Sequence, residues 1–311
     1  MRLFDLQVNG YLGVDFSSDT FNAQAFRDVA HALIDHGVTL FLPTLITGFE
    51  PCYKRNLTLL SDVLDRDDEL RAHIPGFHLE GPFISPEPGA VGAHPAAAVH
   101  LPDCAYFDRL NAYAKGRIKV LTLAAERPGA VDLVRHVRAT GCAVSCGHQL
   151  ATATDLARCA DAGAQALTHF GNGIPNTIHR HNNPLVAGLC ERRLSILFIP
   201  DGHHLPIDFL TMLARIIPTA QLIATSDASP AAGLPPGRYH VLGNDAILEP
   251  DGKLHNPEKQ CLVGSSATLV ECAAVLHTLG CFSAAQIEQL CWFNPLALIG
   301  LQASDYCFAG V

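Results

Sequence analysis

Short runs of apolar residues alternate along almost the whole chain with longer stretches in which apolar positions recur every third or fourth residue. The short runs, bounded by Gly, Pro and polar clusters, predict buried strands at 3–8, 40–43, 76–79, 119–123, 143–146, 166–168, 196–199 and 222–225. Between them the longer spacing predicts amphipathic helices at 23–36, 53–64, 131–140, 154–162 and 207–216. Gly37, Gly141 and Gly163 stand just after three of these, where a helix end wants a left-handed residue. Eight strands alternating with helices is the α/β pattern of a (β/α)8 TIM barrel. Residues 264–279 and 283–290 read as two further helices. The stretch 230–257 is rich in Gly, Pro and polar residues with little helical period, and reads as a long excursion over the barrel mouth, a lid or substrate loop. No repeat or low-complexity linker divides the chain, so residues 1–311 are expected to form one domain.

Composition narrows the class. With 49% apolar and only 16% charged residues, the chain suits a compact enzyme whose strands are buried on both faces. Thirty acidic against 21 basic residues give a net charge of −9, with no run of Lys or Arg, which argues against a nucleic-acid partner. The eleven cysteines, at 52, 104, 142, 146, 159, 190, 261, 272, 281, 291 and 307, are scattered without a CxxC pair and read as reduced, mostly buried thiols. Met1-Arg2-Leu3-Phe4-Asp5-Leu6 runs directly into the first strand without a signal-peptide pattern, and no apolar run approaches the roughly 20 residues a bilayer needs. A cytoplasmic protein with no membrane partner is expected.

Candidate chemistry clusters just past the predicted strand ends: Gln7 and Asn9, His78 and Glu80, His148, His169, residues 201–204, and Asp227. In a TIM barrel that rim is where loops from different strands converge. A catalytic metal needs about three protein ligands and an open position, and His and Glu are common donors. Glu80, in His78-Leu79-Glu80-Gly81-Pro82, His148 after Gly147, and His169 after Thr168 supply such a set from separate strands. Asp227, in Thr225-Ser226-Asp227-Ala228, is then placed to take a proton from water and return it to a leaving amine. His31, His36, His73 and His136 fall on helices or loops with no such logic.

Several motifs occur in one order: Phe77-His78-Leu79-Glu80-Gly81-Pro82-Phe83, Ser145-Cys146-Gly147-His148, Leu167-Thr168-His169-Phe170-Gly171-Asn172, Asp201-Gly202-His203-His204, Ser226-Asp227-Ala228 and Val263-Gly264-Ser265-Ser266-Ala267-Thr268. Together with Gly37-Val38-Thr39 and Leu42-Pro43-Thr44-Leu45-Ile46-Thr47, the chain resembles the N-acetylglucosamine-6-phosphate deacetylases of the amidohydrolase superfamily over nearly its whole length. The resemblance implies removal of the N-acetyl group of an amino sugar by a metal-activated water, with Asp227 acting first as base and then as acid. It places His94, in Gly92-Ala93-His94-Pro95, near the acyl carbonyl, and Asn172, Gly173 and His204 against the sugar or its phosphate. It also implies a homodimer.

Three departures qualify the resemblance. Many amidohydrolases carry a His-x-His pair on the first strand for a second metal, whereas this chain has Gln7-Val8-Asn9. Neutral amides are poor ligands for a transition metal, so one divalent ion is expected, with zinc first and iron, manganese or cobalt as alternatives. Gln7 and Asn9 are then free to hydrogen-bond the metal water or a ligand. The accessory β-sandwich of relatives is expected to be missing, because the first barrel strand begins at residue 3. The family reads the sugar phosphate partly through an arginine after the sixth strand, where this chain has Arg180 in Thr177-Ile178-His179-Arg180-His181-Asn182-Asn183-Pro184. That basic loop suits a phosphate, a carboxylate or a solvated turn. The alternatives are an amidohydrolase acting on another N-acyl amine or cyclic amide, and a barrel that binds metal and ligand without turnover.

Overall fold

The computed structural model describes residues 1–306, so the thiol expected at Cys307 lies outside the described residues. Eight parallel strands pair in sequence order: β1 (Phe4–Val8), β2 (Leu40–Ile46), β3 (Phe77–Glu80), β4 (Ile118–Leu123), β5 (Ala143–Cys146), β6 (Ala166–Leu167), β7 (Ser195–Phe198) and β8 (Leu222–Ala224). All eight expected strands are present. Along them side chains alternate between two apolar clusters. Phe4, Leu6, Leu40, Leu42, Val120 and Leu197 meet inside the barrel, closed at one end by Trp292, Leu296 and Leu298. Their neighbours Phe41, Leu121, Val144, Ile196 and Phe198 face outward into the cluster shared with the helices. Both faces are covered, which is why the strands read as continuous apolar runs.

The helices after each strand are α1 (Ala23–Asp35), α2 (Glu50–Arg66), α3 (Cys104–Tyr113), α4 (Ala130–Ala139), α5 (Ala153–Asp161), α6 (Pro184–Cys190), α7 (Ile207–Ile216) and α8 (Leu269–Leu279). Asn22 caps α1, and Thr152 with Asp155 forms a capping box on α5. Gly37, Gly141 and Gly163 take positive φ values of 110°, 84° and 109°, as their places after helix ends predict.

The barrel closes between β8 and β1 through a backbone bridge of Val8 with Ala228, where the Asn9 amide donates to the Ala228 carbonyl at 2.7 Å, and through one carboxylate. Asp5 is fully buried and accepts hydrogen bonds from the Thr225 hydroxyl at 2.7 Å, the Ser226 amide at 3.1 Å, the Gln7 amide at 3.2 Å and the Ser226 hydroxyl. Burial pushes its pKa up, and these donors work the other way. Asp5→Ala would strand several buried donors at once, and a loss of roughly 3–5 kcal/mol is expected in chemical denaturation. A denaturation midpoint close to that of the unsubstituted protein would show that water replaces the carboxylate.

The excursion after β8 differs from expectation. Residues 230–257 do not run as an unstructured loop. They hold most of an antiparallel sheet of β9 (Gly237–Val241), β10 (Asn244–Leu248), β11 (Leu254–Asn256) and β12 (Cys261–Leu262). Val241, Leu242, Ala246, Leu248, Leu254 and Val263 give it a small core of its own against Ile46. The helix expected from residue 264 begins at Leu269, because Ser265 still pairs with Ala228 and Thr268 caps α8. Four short helices had not been expected: α3, α6 and those at Asp68–His73 and Asn294–Leu298. Asn183 and Pro184 start α6 as its cap and first residue, rather than ending a loop. Beyond the barrel the described residues form this sheet and the hairpin of Gly10–Tyr11 with Val14–Asp15, and no β-sandwich. No described helix is long and apolar enough to cross a membrane. The ten described cysteines are free thiols, and Cys142, Cys146, Cys159, Cys272 and Cys291 are buried.

Candidate metal centre and active site

Glu80 ends β3, while His148, His169 and Asp227 lie two to three residues past the ends of β5, β6 and β8. The last three adopt positive φ values of 50°, 27° and 53°, unusual for residues with a Cβ. Each such residue costs of order 1–3 kcal/mol and persists only where its surroundings hold it. Here the carbonyls of His148, His169 and Asp227 accept from the amides of Ser85 at 2.9 Å, Asn172 at 2.9 Å and Ser265 at 2.8 Å. Residues from several loops thus fix the three side chains at one spot on the rim.

There the sequence-predicted ligands meet. Glu80 Oε1 lies 3.1 Å from His148 Nε2 and 2.8 Å from His169 Nε2, and the two nitrogens are 3.0 Å apart. All three residues are buried. His148 Nδ1 lies 2.7 Å from the Ala90 carbonyl, which can only accept, so the ring proton belongs there and Nε2 presents a lone pair to the other two atoms. A lone pair facing a carboxylate and a second imidazole calls for a cation or a proton between them. Ligand bonds of about 2.0–2.1 Å in a tetrahedron would space the donors roughly 3.3 Å apart, close to what is seen. Burial pushes the Glu80 carboxyl up, but His148, His169 and His94 hold it well below the ordinary range. Burial disfavours charge on His148, yet Glu80 raises its pKa.

Asp227 and the first-strand amides complete the centre. Gln7 Nε2 donates to Glu80 Oε1 and Asp227 Oδ1, both at 2.8 Å, and Asn9 Nδ2 donates to Asp227 Oδ1 at 2.7 Å. Their own oxygens, Gln7 Oε1 and Asn9 Oδ1, are buried without a partner. Burial first, and then the Glu80 charge, push Asp227 up to about 7, against the pull of His204, Asn9 and His148. A carboxyl poised there can take and give a proton near neutral pH.

The cleft above is lined by Asn9, Glu80, His94, His148, His169, Asn172, Gly173, His204 and Asp227, among others. His94 accepts from the Thr47 amide at Nδ1, 3.2 Å away, which places its proton on Nε2, 3.5 Å from Glu80 Oε2. Burial and neighbouring His148 lower its pKa to about 4, so it is a neutral N–H donor aimed into the site. His204 is tied through Nδ1 to Asp201 Oδ2 at 2.7 Å. Burial opposes charge on both, but each holds the other in its charged form. Gly173 sits at φ 62° where a Cβ would lie 3.0 Å from His148 Nδ1, so only glycine fits easily. Asn172 bonds its own loop through the His169 carbonyl at 3.3 Å. Gln7 lies beneath the cleft, touching its carboxylates, and Arg180 is exposed and outside the cleft lining. Sequence reasoning missed Thr47 as the partner of His94, although Thr47 closes a motif it had singled out. The Ala90 carbonyl that orients His148 carries no side-chain signal at all.

No family model matches the chain. Among curated proteins it is 33% identical over 315 residues to N-acetylglucosamine-6-phosphate deacetylase of Homo sapiens, covering 96% of this chain and 74% of that protein. It is 28% identical over 301 residues to N-acetylgalactosamine-6-phosphate deacetylase of Escherichia coli O157:H7, covering 96% and 77%. In fold it matches, with a TM-score of 0.86 and 24% identity, a mutant N-acetyl-D-glucosamine-6-phosphate deacetylase from Mycobacterium smegmatis in complex with N-acetyl-D-glucosamine-6-phosphate, covering 96% of this chain and 77% of that one. With such identity across nearly its full length and the same barrel beneath it, the chain belongs to the N-acetylglucosamine-6-phosphate deacetylase family and is a metal-dependent amidohydrolase.

Proposed function

We propose that this enzyme hydrolyses the N-acetyl group of a hexosamine 6-phosphate, with N-acetylglucosamine 6-phosphate as first candidate, and that residues 1–311 act as one hydrolase domain. The observation that carries the reading is the convergence, in one buried cleft, of the Glu80, His148 and His169 donors with the His94 Nε2–H and the Asp227 carboxyl. Glu80, His148 and His169 would hold one divalent ion, zinc first, which supplies Lewis acidity toward water and the amide carbonyl when bound. Gln7 and Asn9 put amide donors where a second ion would need ligands, which supports a single ion.

In this mechanism His94 Nε2–H donates to the acyl oxygen and stabilises the charge that develops there. Asp227 takes the proton of the attacking water as the new C–O bond forms. It then gives that proton to the nitrogen as the C–N bond breaks, leaving acetate and the amine. Asn172, Gly173 and His204, which line the same cleft, orient the sugar. Free thiols throughout the described residues suit a reducing compartment such as the cytosol.

A second reading replaces glucosamine by its C4 epimer, and the similarity to the N-acetylgalactosamine-6-phosphate deacetylase favours it. Acetate release by zinc-loaded protein from the two phosphorylated sugars and from unphosphorylated N-acetylglucosamine decides between them. The expected result is turnover of a phosphorylated sugar with the higher kcat/KM on the glucosamine epimer. Acetate from none of the three would overturn the amino-sugar reading.

A further inference from the structure

On the side of His94 the catalytic cleft adjoins a second, larger cavity, and Ile46, Ala93, Leu242 and Lys259 line both. The second cavity has a volume of about 760 Å³, within the roughly 300–1,000 Å³ typical of small-molecule sites. It lies behind His94. The residues on either side of that histidine, Ala93 and Pro95, line it, and so does Thr47, whose amide and hydroxyl hold His94 Nδ1 at 3.2 and 2.9 Å. His94 itself lines the catalytic cleft, with Nε2 turned toward Glu80. Because the proposed reaction brings the acyl oxygen to that Nε2–H, the acyl group is the part of the substrate nearest the junction of the two cavities.

The chemistry of the walls agrees with that placement. Asn172, Asn176 and His204 give the catalytic cleft polar groups suited to a sugar, whereas Ile46, Ala93 and Leu242 at the junction are apolar. Beyond them the second cavity adds Val14, Phe21, Phe49, Cys52 and Pro95, with polar residues such as Asp15, Ser17 and Asp19 sharing the lining. The junction is held open by bonds to its backbone. Asn244 Nδ2 donates to the carbonyls of Ala93 at 2.9 Å and Leu242 at 2.7 Å, and Asp15 Oδ2 accepts from the Leu242 amide at 3.1 Å. Lys259, the charged residue at the junction, donates its ammonium to Asn244 Oδ1 at 2.6 Å, which leaves its methylene stem to the lining.

We propose that this enzyme also hydrolyses amino-sugar amides whose acyl chain is longer than acetyl, from butanoyl to hexanoyl, with the tail passing Ile46 and Ala93 into the cavity beside Phe49 and Pro95. The inference rests on the reaction proposed above, and the bonds made and broken are the same. Water oxygen adds to the acyl carbon as Asp227 takes its proton, and the C–N bond breaks as Asp227 returns the proton to nitrogen, leaving an alkanoate and the amine. A longer tail changes neither the metal donors nor the proton carrier, and it buries apolar surface that acetyl leaves in water. A pocket closed around acetyl would instead discriminate against one extra methylene by about 10- to 200-fold.

The test measures kcat/KM for the N-acetyl, N-butanoyl and N-hexanoyl derivatives of glucosamine 6-phosphate in the zinc-loaded protein and in its Gly48→Leu variant. Gly48 lines the second cavity and not the catalytic cleft, and its backbone is outside the left-handed region. A Cβ there would lie 3.8 Å from the Ile46 carbonyl oxygen, its nearest neighbour, so a leucine takes up cavity space without strain. The hexanoyl value is expected within about tenfold of the acetyl value. Gly48→Leu should lower the hexanoyl value by about tenfold or more and leave the acetyl value within about twofold. Hydrolysis of the acetyl derivative alone overturns this proposal and leaves the deacetylase reading standing. An unchanged hexanoyl value in Gly48→Leu, or an equal loss on both substrates, overturns it as well. Turnover of the hexanoyl but not the acetyl derivative would support it and correct the acyl group of the proposed function, and turnover of none of the three ends both.

Discussion

Exchanging Asp227 for Asn is expected to lower kcat by about 10²- to 10⁴-fold while leaving the bound metal and the thermal midpoint close to those of the unsubstituted protein. The change is nearly isosteric, and the amide oxygen can still accept the Gln7 and Asn9 bonds that now reach Oδ1 at 2.8 and 2.7 Å. What is lost is the ability to carry a proton. The other oxygen, Oδ2, accepts from none of the described residues, and Asp227 lines the cleft, so this is the atom available to the attacking water. The readout is kcat for acetate release measured beside metal content per chain. A rate near that of the unsubstituted protein would take the proton-carrier role away from Asp227, and a fall that tracks lost metal would make it a ligand instead.

The barrel and most of this centre were legible in the sequence for a physical reason. Strands covered on both faces must be apolar throughout, so polar residues such as Glu80, His148, His169 and Asp227 at their ends stand out. The sheet β9–β12 was hidden because it is covered differently. β10 reads Asn244-Asp245-Ala246-Ile247-Leu248, with Asp245 exposed, and its turns are rich in the Gly and Pro that also mark loops. The helix α6 is only 7 residues long, too short for periodicity to announce it, whereas α3, as long as α4, was hidden because its apolar and polar residues separate only weakly into two faces. The positive φ values at His148 and Asp227 carry no sequence signal, because their carbonyls are held by amides from distant loops, Ser85 and Ser265, while His169 is held by Asn172 of its own loop.

Replacing Glu80 with Gln should abolish most metal binding, lowering affinity by more than the roughly hundredfold typical of groups that merely support a ligand, with activity falling in proportion to metal content. Glu80 is the one anion among three donors, and a neutral amide is a poor substitute. The same substitution also tests the electrostatics in the metal-free protein. After burial, the Glu80 charge is the largest influence holding Asp227 up to about 7, and it raises His148 as well. At pH 6 both groups therefore keep their protons in the metal-free state, and a cation must expel protons as it binds. Affinity should rise with pH through about 6 to 8, and calorimetry in buffers of different ionisation enthalpy should show proton release at pH 6 that shrinks by pH 8. The raised Asp227 pKa carries the matching stability effect. Its contribution to the metal-free fold is present at low pH and is lost as pH rises from about 4 to 7, so stabilisation by added metal should be greatest above that window. In Glu80→Gln the Asp227 carboxyl should titrate lower, and proton release at pH 6 should diminish even at metal concentrations that force occupancy. Proton release equal to that of the unsubstituted protein would mean that Glu80 does not set the charge state of this centre.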